Sequence, residues 1–488
     1  MIDRYSDIVK DFIKVLGSSR VAMAGAVVSS VIFPVLAISV FLDIQGVVKN
    51  PYFGFLIYMV MGPLFVGGVL TTLVGLIFFR DTEEIGLFTL EYLKEQLTMP
   101  GRFSRVRKHL YISSFIAAAT LLVIGVVSIK GFDYTESVRF CATFCHTVME
   151  SEYISHQNSP HSRIPCVRCH ISSESGLFDK SKISGIRMIF ATLFDRYDKP
   201  IRTPISSLRP SREVCEQCHR PEIFHGDKLY IKDYFLADEK NTHVQTVLLM
   251  HVGSGGSRGE HAHGIHWHVS PEHRTFFQEE AGSDGRISSV KLLDHDGDEF
   301  VFNRVDDHKA EVDVSGGNTY KLMDCLDCHN RPTHIFLSPE EALDRKISDG
   351  SISRDLPYIK QRALEVIQKE YRDRQEARKK ISIDLESWYR DNYPGLLTSD
   401  EELLEKAVNS VYQAWSENVF PEMNVGWNTY QDNLGHEEGR GCFRCHSDAY
   451  RTKDGRVISD DCSLCHVVLA EKEESPDIMR ILHGKKEQ

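Results

Sequence analysis

Six short motifs constrain the fold of this chain more than any other feature of its sequence. Each motif contains two cysteines and a histidine that directly follows the second cysteine, and together they use all 12 cysteines of the 488 residues. Five motifs have the spacing Cys-x-x-Cys-His, whereas the first, "CATFCH", has three residues between its cysteines. The motif cysteines are Cys141 and Cys145, Cys166 and Cys169, Cys215 and Cys218, Cys325 and Cys328, Cys442 and Cys445, and Cys462 and Cys465. The motif histidines are His146, His170, His219, His329, His446 and His466.

This pattern distinguishes between three uses of paired cysteines. A disulfide framework does not require a histidine after each pair, and zinc sites built from Cys-x-x-Cys units do not require it either. Covalent haem attachment requires the whole motif, because the thiols form thioethers with the haem vinyl groups and the adjacent histidine binds the iron. The motifs therefore predict six covalently bound haem c groups in a multihaem c-type cytochrome.

The first 130 residues have a different composition. Three stretches without a charged residue, at about 21–42, 52–79 and 110–129, are each long enough to cross a membrane as a helix. Buried helices of a soluble domain are a poorer explanation of such lengths, as is a cleaved signal peptide, since polar residues precede the first stretch. We predict a membrane domain over residues 1–130 with three transmembrane helices.

Lysine and arginine indicate the orientation of these helices. Four of them precede the first stretch and six lie in the segment 80–109, but the short segment between the first two stretches contains one. Excess positive charge stays in the cytoplasm, so the N-terminus is expected inside and residues after 130 outside. Covalent haem attachment in bacteria occurs on that outer side. We predict a bacterial inner (cytoplasmic) membrane protein with a periplasmic haem domain.

The remainder is expected to be mainly α-helical with a large irregular content and a small β-hairpin insertion. We divide it into a three-haem domain at 131–235 and a C-terminal three-haem extension at 236–488. Residues 287–305 alternate around a turn-forming Asp-His-Asp-Gly-Asp cluster and predict the hairpin, although the aspartates also resemble the start of a calcium loop.

Helical patterns occur in three further segments. Residues 175–196 predict an amphipathic helix at the membrane surface, with an ordinary half-buried helix as the alternative. Residues 358–391 predict one charge-rich helix ending before Pro394, and another begins at Ser399.

Six haems need up to six further axial ligands, and fifteen histidines outside the motifs follow the third stretch. This surplus favours six-coordinate irons that conduct electrons over an open iron that binds a substrate. A surface, structural or packing role is the alternative for each candidate, and the segment 259–273 also resembles an adventitious metal site. The candidates are His161, His225, His266, His268, His334, His436 and, for the first haem, Met149.

The segment "CATFCHTVMESEYISHQNSPHSRIPCVRCH", directly after a membrane helix, resembles the NapC/NirT family of membrane-anchored multihaem quinol dehydrogenases. The resemblance continues through "KSKISGIRMIFATLFDRYDKPIRTPISSLRPSREVCEQCHRPEIFHGD". "CLDCHNRPTHIF" and "NVGWNTYQDNLGHEEGRGCFRCH" are similar to longer inner-membrane members from metal-respiring bacteria. Shorter members have one membrane helix, four haems and a methionine two residues past the first motif histidine, whereas Met149 stands three past it.

The resemblance implies a quinol:cytochrome c oxidoreductase that takes electrons from menaquinol and passes them to periplasmic c-type cytochromes or reductases. An electron-transfer subunit without its own quinol site and a terminal multihaem reductase are the alternatives. Residues 131–488 have a net charge of −15, which suits a basic partner or serves solubility alone. A homo-oligomer or a larger membrane complex fits the additional spans, and no nucleic acid is expected.

The three stretches contain no histidine, so a b-type haem inside the membrane is not expected and quinol should bind at the interface. Asp179, Lys180 and Lys182 are the candidates for that site, although the lysines also suit lipid phosphates. We expect the additional residue of the first motif to tune the haem nearest the membrane rather than to abolish it.

Overall fold

The structure is a computed structural model that divides into two compact units. The first unit comprises Met1–His146 with Pro165–Val167, and the second comprises Thr147–Ile164 with Arg168–Gln488. The residues that the structure describes are 13, 15–47, 51–79, 94, 98, 103–144, 146–170, 190–192, 194–203, 211–219, 226–253, 261–280, 285–305, 320–396, 401–436, 440–482 and 484.

The first unit contains three long apolar helices, which confirms the three predicted spans. The first membrane helix is Arg20–Ile44, and the Ser19 hydroxyl caps it by accepting a bond from the Ala22 N–H at 3.2 Å. Each helix is long and apolar enough to cross a membrane. The second membrane helix consists of Pro51–Phe55, a π-helical turn Leu56–Met61 and Gly62–Phe78, and the third is Phe103–Thr135.

Small residues let the first two membrane helices pack closely. A Cβ added at Gly75 would lie 2.2 Å from the backbone nitrogen of Ala22, and one at Gly25 would lie 2.5 Å from that of Thr72. Close backbone approach through small residues is how helices associate in lipid, where apolar burial gives little driving force.

The second unit contains two antiparallel sheets, which is more strand than the single predicted hairpin. The strands are β1 (Lys228–Phe235), β2 (His243–Met250), β3 (Arg274–Glu279), β4 (Ile287–Leu293), β5 (Glu299–Arg304), β6 (Lys321–Leu322), β7 (Tyr450–Arg451) and β8 (His466–Glu473). One sheet has the order β1-β2-β8 and the other β6-β3-β4-β5-β7. The predicted hairpin is confirmed as β4 and β5, and its turn is held by Asp294 Oδ1, which accepts the N–H groups of Asp296 and Asp298.

Three of the strands are directly connected to haem motifs. The fourth motif begins three residues after β6, and Met323 between them donates its N–H to Thr275 O at 2.8 Å. The fifth motif precedes β7. The sixth motif continues into β8, where His466 pairs with Met250 of β2. The sheets therefore hold the ends of these three motifs.

Four helices build the main apolar core of the second unit, around Trp415 and Tyr389. The prediction of one helix over 358–391 is wrong, because the chain leaves the helix between Ile367 and Arg374. Asp373 caps the following helix by accepting the Glu376 N–H at 2.8 Å. The helices are Pro339–Ser348, Ile359–Ile367, Arg374–Asn392 and Glu401–Ser416.

Two predicted helical features lie wholly or mostly on residues that the structure does not describe. Most of the predicted amphipathic helix at 175–196 lies outside the described residues, as does Ser399 at the predicted start of the last long helix.

The shorter helical elements are Phe140–Phe144 (π), His146–Gln157, Val167–His170, Ser211–Cys215, Ile265–Val269 (3-10), Cys325–Cys328, Pro421–Met423 (3-10), Gly441–Arg444 (3-10), Cys462–Leu464 (3-10) and Asp477–Leu482.

A buried ion pair joins the helical core to the first sheet. Lys360 Nζ lies 2.5 Å from Asp344 Oδ1, and the two side chains are 3% and 9% exposed. Asp344 Oδ1 also accepts the backbone N–H of Phe235, the last residue of β1, at 3.1 Å. Removing either residue alone would leave the other as an uncompensated buried group.

Replacing Asp344→Ala is therefore expected to cost about 3–5 kcal/mol of unfolding free energy, because it leaves the Lys360 ammonium buried without its carboxylate. Urea unfolding of the detergent-solubilised haem-loaded protein, followed by far-UV circular dichroism, measures the loss. The control is Asp384→Ala, which removes an exposed pair with Lys369 and should cost below about 1 kcal/mol. Equal losses in the two variants would contradict the assignment of the buried pair.

Candidate haem-binding sites

The regular motifs form single helical turns. In three of them the backbone N–H of the motif histidine donates to the carbonyl of the first motif cysteine, which closes one α-helical turn. Such a turn brings two sulfurs and one imidazole together on a short segment, as thioether attachment with axial ligation requires. The three bonds join His219 to Cys215 at 2.7 Å, His329 to Cys325 at 2.8 Å and His446 to Cys442 at 3.0 Å.

The first motif begins in a wider turn. Cys141 lies in the π-helical turn Phe140–Phe144, and His146 begins the helix His146–Gln157. A π-helical turn closes a bond to the fifth residue along and so contains one residue more than an α-helical turn. The described residues 141–144 of "CATFCH" thus lie in a turn that contains one residue more than an α-helical turn. Cys145 lies outside the described residues, and the haem role of this motif stays a prediction.

Histidines outside the motifs lie against the motif histidines. In four cases the ring of a histidine from outside the motifs lies next to the ring of a motif histidine. His329, of the fourth motif, interacts electrostatically with His266. Imidazole nitrogens bind first-row metals at about 2.0–2.1 Å, so two on one ion are roughly 4 Å apart. The ring centroids are separated by 6.2 Å for His170 and His334, 5.8 Å for His161 and His219, 5.6 Å for His268 and His446, and 6.2 Å for His436 and His466.

Backbone carbonyls fix which nitrogen of these rings carries the proton. Where Nδ1–H donates to a carbonyl, Nε2 keeps the lone pair that binds a metal. The Nε2 atoms of His268 and His446 face each other at 3.4 Å. The Nδ1 donors and their acceptors are His161 with Pro332 O at 3.0 Å, His334 with Glu152 O at 3.0 Å, His268 with Ile265 O at 2.8 Å and His446 with Ser459 O at 2.7 Å.

Burial favours the neutral form of three candidate ligands, His266, His268 and His334. It lowers the pKa of His266 and of His268, and it lowers the pKa of His334 to about 4. The neutral ring is the form that binds a metal. No group of three or more His, Cys, Asp or Glu side chains able to hold a metal ion occurs in the described ranges. Pairs of ligands suit haem iron, because the porphyrin supplies the other four.

Sequence reasoning missed one carboxylate beside a candidate ligand. The Glu152 side chain is 12% exposed, and its Oε2 lies 3.1 Å from Nδ1 of His334. Burial raises the pKa of Glu152, and the guanidinium of Arg331 opposes that shift. Arg331 itself lies over the ring of Tyr430, 4.2 Å from its centroid. Glu152 belongs to no motif, so only the folded chain relates it to residues 331–334.

Other histidines have partners that explain their positions without a metal. His273 stacks on Trp267 with ring centroids 3.7 Å apart and donates to its carbonyl. His243 bonds Asp233 at 2.7 Å on the first sheet. His156 is 5% exposed and donates from Nε2 to Ile164 O at 3.0 Å.

Some predicted site residues are not placed beside a motif histidine. Met149 packs with the apolar cluster of Val148 and Phe420 in the second unit, and its role as a ligand stays a prediction. The remaining candidates, which also stay predictions, lie outside the described residues; they are Asp179, Lys180, Lys182 and His225.

Sulfurs of successive motifs lie close together. The side chains of Cys141 and Cys166 are in contact, and so are those of Cys215 and Cys325. Electrostatic interactions connect the other neighbouring motifs through Cys169 with Cys215, Cys328 with Cys442 and Cys442 with Cys465.

The motifs are therefore neighbours in space in the order in which they occur along the chain. Helical Cys-x-x-Cys-His turns with opposed imidazoles, following three apolar helices, define a membrane-anchored c-type cytochrome.

The family follows from comparison with known proteins. Residues 104–203 match the family model described as the NapC/NirT cytochrome c family, N-terminal region. The chain is 34% identical over 431 residues to the cytochrome c-type protein ImcH of Geobacter sulfurreducens, and the match covers 88% of this chain and 83% of that protein. The chain belongs to the NapC/NirT cytochrome c family, as its motifs predicted, and covalently bound haem c follows from this membership. No solved structure matches the chain.

Replacing His268→Ala is expected to leave one iron without its sixth ligand and to convert that haem from low-spin to high-spin. Electron paramagnetic resonance of the oxidised protein measures the change as one new high-spin ferric signal per chain. His261→Ala, a histidine of the same segment with a side chain 94% exposed, should leave the spectrum unchanged. A spectrum of His268→Ala identical to that of the wild type would show that His268 is not a ligand.

Proposed function

We propose that this chain is a hexahaem quinol dehydrogenase of the bacterial inner membrane. It oxidises menaquinol at the periplasmic face and passes the electrons through its haems to periplasmic c-type cytochromes or reductases. The observation that carries this proposal is the arrangement of the motifs in chain order, with an opposed histidine at each motif from the second to the sixth.

Each haem would be held by the two cysteines and the histidine of one motif and by a second ligand from outside the motif. The bound haem supplies one-electron oxidation and reduction. The first haem would use His146, and Met149 remains the candidate that the sequence offers for its other ligand. The histidine pairs that would hold the other haems are His170 with His334, His219 with His161, His329 with His266, His446 with His268 and His466 with His436.

Two histidine ligands on an iron leave no coordination position for a substrate. Five of the six proposed irons are of this kind, so the chain conducts electrons and does not reduce a small molecule at a haem. The Nδ1–carbonyl bonds of His161, His268, His334 and His446 keep these rings oriented. Fixed rings need little reorganisation when the charge on the iron changes.

The charges of the chain support a periplasmic haem part and a basic electron acceptor. Lysine and arginine before the third span keep the N-terminus in the cytoplasm, so the haem part is periplasmic. The net charge of −15 after residue 130 attracts basic electron acceptors and steers their encounter. Asp179, Lys180 and Lys182 remain the predicted quinol contacts of the periplasmic part.

Stopped-flow mixing of the purified haem-loaded protein with menadiol, a short menaquinol analogue, tests the function. The α-band absorbance should report reduction of haem without any added protein. Reduction that requires a partner complex would favour an electron-transfer subunit. Nitrite-dependent turnover together with a high-spin ferric signal would favour a terminal reductase.

The number of haems is tested separately by intact-mass spectrometry. The wild-type chain should carry the mass of six haems, and the double variant Cys141→Ser with Cys145→Ser should carry five. The matched double variant Cys462→Ser with Cys465→Ser should also carry five. A wild-type mass corresponding to five haems, unchanged by the first double variant, would contradict attachment at "CATFCH".

A further inference from the structure

The second membrane helix departs from α-helical geometry at Leu56–Met61. This π-helical turn contains Tyr58, which is 4% exposed. A π-helical turn adds one residue to the helix, which changes the direction of the side chains, and such turns occur often at functional sites. Tyr58 is the polar side chain of the turn, and all its other members are apolar.

Tyr58 bonds a carboxylate at the end of the first membrane helix. Its hydroxyl donates to Asp43 Oδ2 at 2.8 Å. Asp43 is the last residue but one of the helix Arg20–Ile44, and it is half-buried. A carboxylate beside the hydrocarbon layer is expensive, so such residues are functional-site candidates together with their partners. An ionised carboxylate accepts about four hydrogen bonds, so Asp43 retains capacity for a ligand.

Aromatic rings extend from this pair towards the first haem motif. Tyr134, at the end of the third membrane helix, lies 5.8 Å from the ring of Tyr58 and 5.5 Å from the ring of Phe140. Phe140 directly precedes Cys141. Gly54 makes room for this arrangement, since a Cβ there would lie 2.6 Å from the Tyr134 ring. All five residues belong to the first unit.

Apolar side chains next to these residues face outwards. Phe41 and Leu56 are 60% and 48% exposed, and Phe132 is 51% exposed. On a membrane helix such side chains contact lipid. A lipid-soluble molecule with a hydroxylated ring and an apolar tail matches the combination of a carboxylate, a tyrosine hydroxyl and a lipid-facing apolar rim.

We propose that Asp43 and Tyr58 bind the hydroxyl groups of the quinol headgroup, with Tyr134 beside its ring. This inference rests on the proposed function and identifies residues of the first unit that contact the quinol. The quinol loses two hydrogens and becomes the quinone; its two electrons leave one at a time, and the oxidants are two oxidised haem c groups, or one that passes the first electron on. One proton goes to the Asp43 carboxylate and from there to water, and the other goes to water directly. Asp43 accepts the proton, and the Tyr58 hydroxyl orients the ring.

Binding of the quinol analogue 2-heptyl-4-hydroxyquinoline N-oxide tests the site by fluorescence titration of the haem-loaded protein in detergent. Asp43→Asn keeps an oxygen that accepts the Tyr58 bond but removes the charge, so the helices stay braced while the proton acceptor is lost. We expect binding to weaken about ten- to a hundredfold, as for the loss of a hydrogen bond to a charged group. Tyr58→Phe should weaken it less, and Asp43→Glu should restore part of it.

Matched controls separate the site from general effects. Asp454→Asn makes the same charge change at an exposed carboxylate of the second unit, and Tyr111→Phe removes an exposed hydroxyl from the third membrane helix. Both should bind the analogue like the wild type. Reduction by menadiol should slow in Asp43→Asn, whereas reduction by dithionite should not change.

The outcomes distinguish the two proposals. Failure of menadiol to reduce the wild type overturns the proposed function. If Asp43→Asn and Tyr58→Phe both keep wild-type binding and reduction, the site at Asp43 is overturned. Loss of binding and reduction in the double variant Lys180→Ala with Lys182→Ala would then leave the function standing. Weakening by Asp454→Asn equal to that by Asp43→Asn also overturns the site at Asp43, because the effect would then be general to the loss of a negative charge.

Discussion

Hydrogen bonds from imidazole Nδ1 to backbone carbonyls are the interaction on which the rest of the haem-bearing unit depends. Two of them form a reciprocal tie: His161 donates to Pro332 O, and His334 donates to Glu152 O. The helix His146–Gln157 with its following loop and the segment after the fourth motif therefore hold each other's histidines. These two bonds between distant segments thus orient the His334 ring opposite the second motif and the His161 ring opposite the third.

One segment also provides the histidines opposite two motifs in the case of the fourth and fifth motifs. His266 and His268 belong to one 3-10 turn, Ile265–Val269, yet His266 interacts with His329 and His268 faces His446. One short segment, which precedes β3, therefore positions both rings. On the proposed ligand set, this segment supplies one ligand to each of two haems.

Local signals in the sequence predicted the membrane spans, the hairpin β4–β5 and the haem motifs, because each depends on spacing over a few residues. The pairing of histidines is set by contacts more than a hundred residues apart, as between His170 and His334, and no local pattern specifies it. The break after Ile367 was missed because apolar spacing resumes in the next helix. Asp43 was missed for another reason: a span defined by uncharged residues ends immediately before it, although the helix continues to Ile44.

The composition of the three spans determines what quinol oxidation can do to the membrane potential on the proposed function. Moving one charge across the membrane is worth about 2.3 kcal/mol per 100 mV. The sequence stretches 21–42, 52–79 and 110–129 contain no ionisable side chain other than tyrosine, and no histidine that would bind a haem inside the bilayer. Protons released at Asp43 and electrons passed to periplasmic haems leave on the same side. No charge then crosses the hydrocarbon core, so the reaction proceeds without working against the membrane potential.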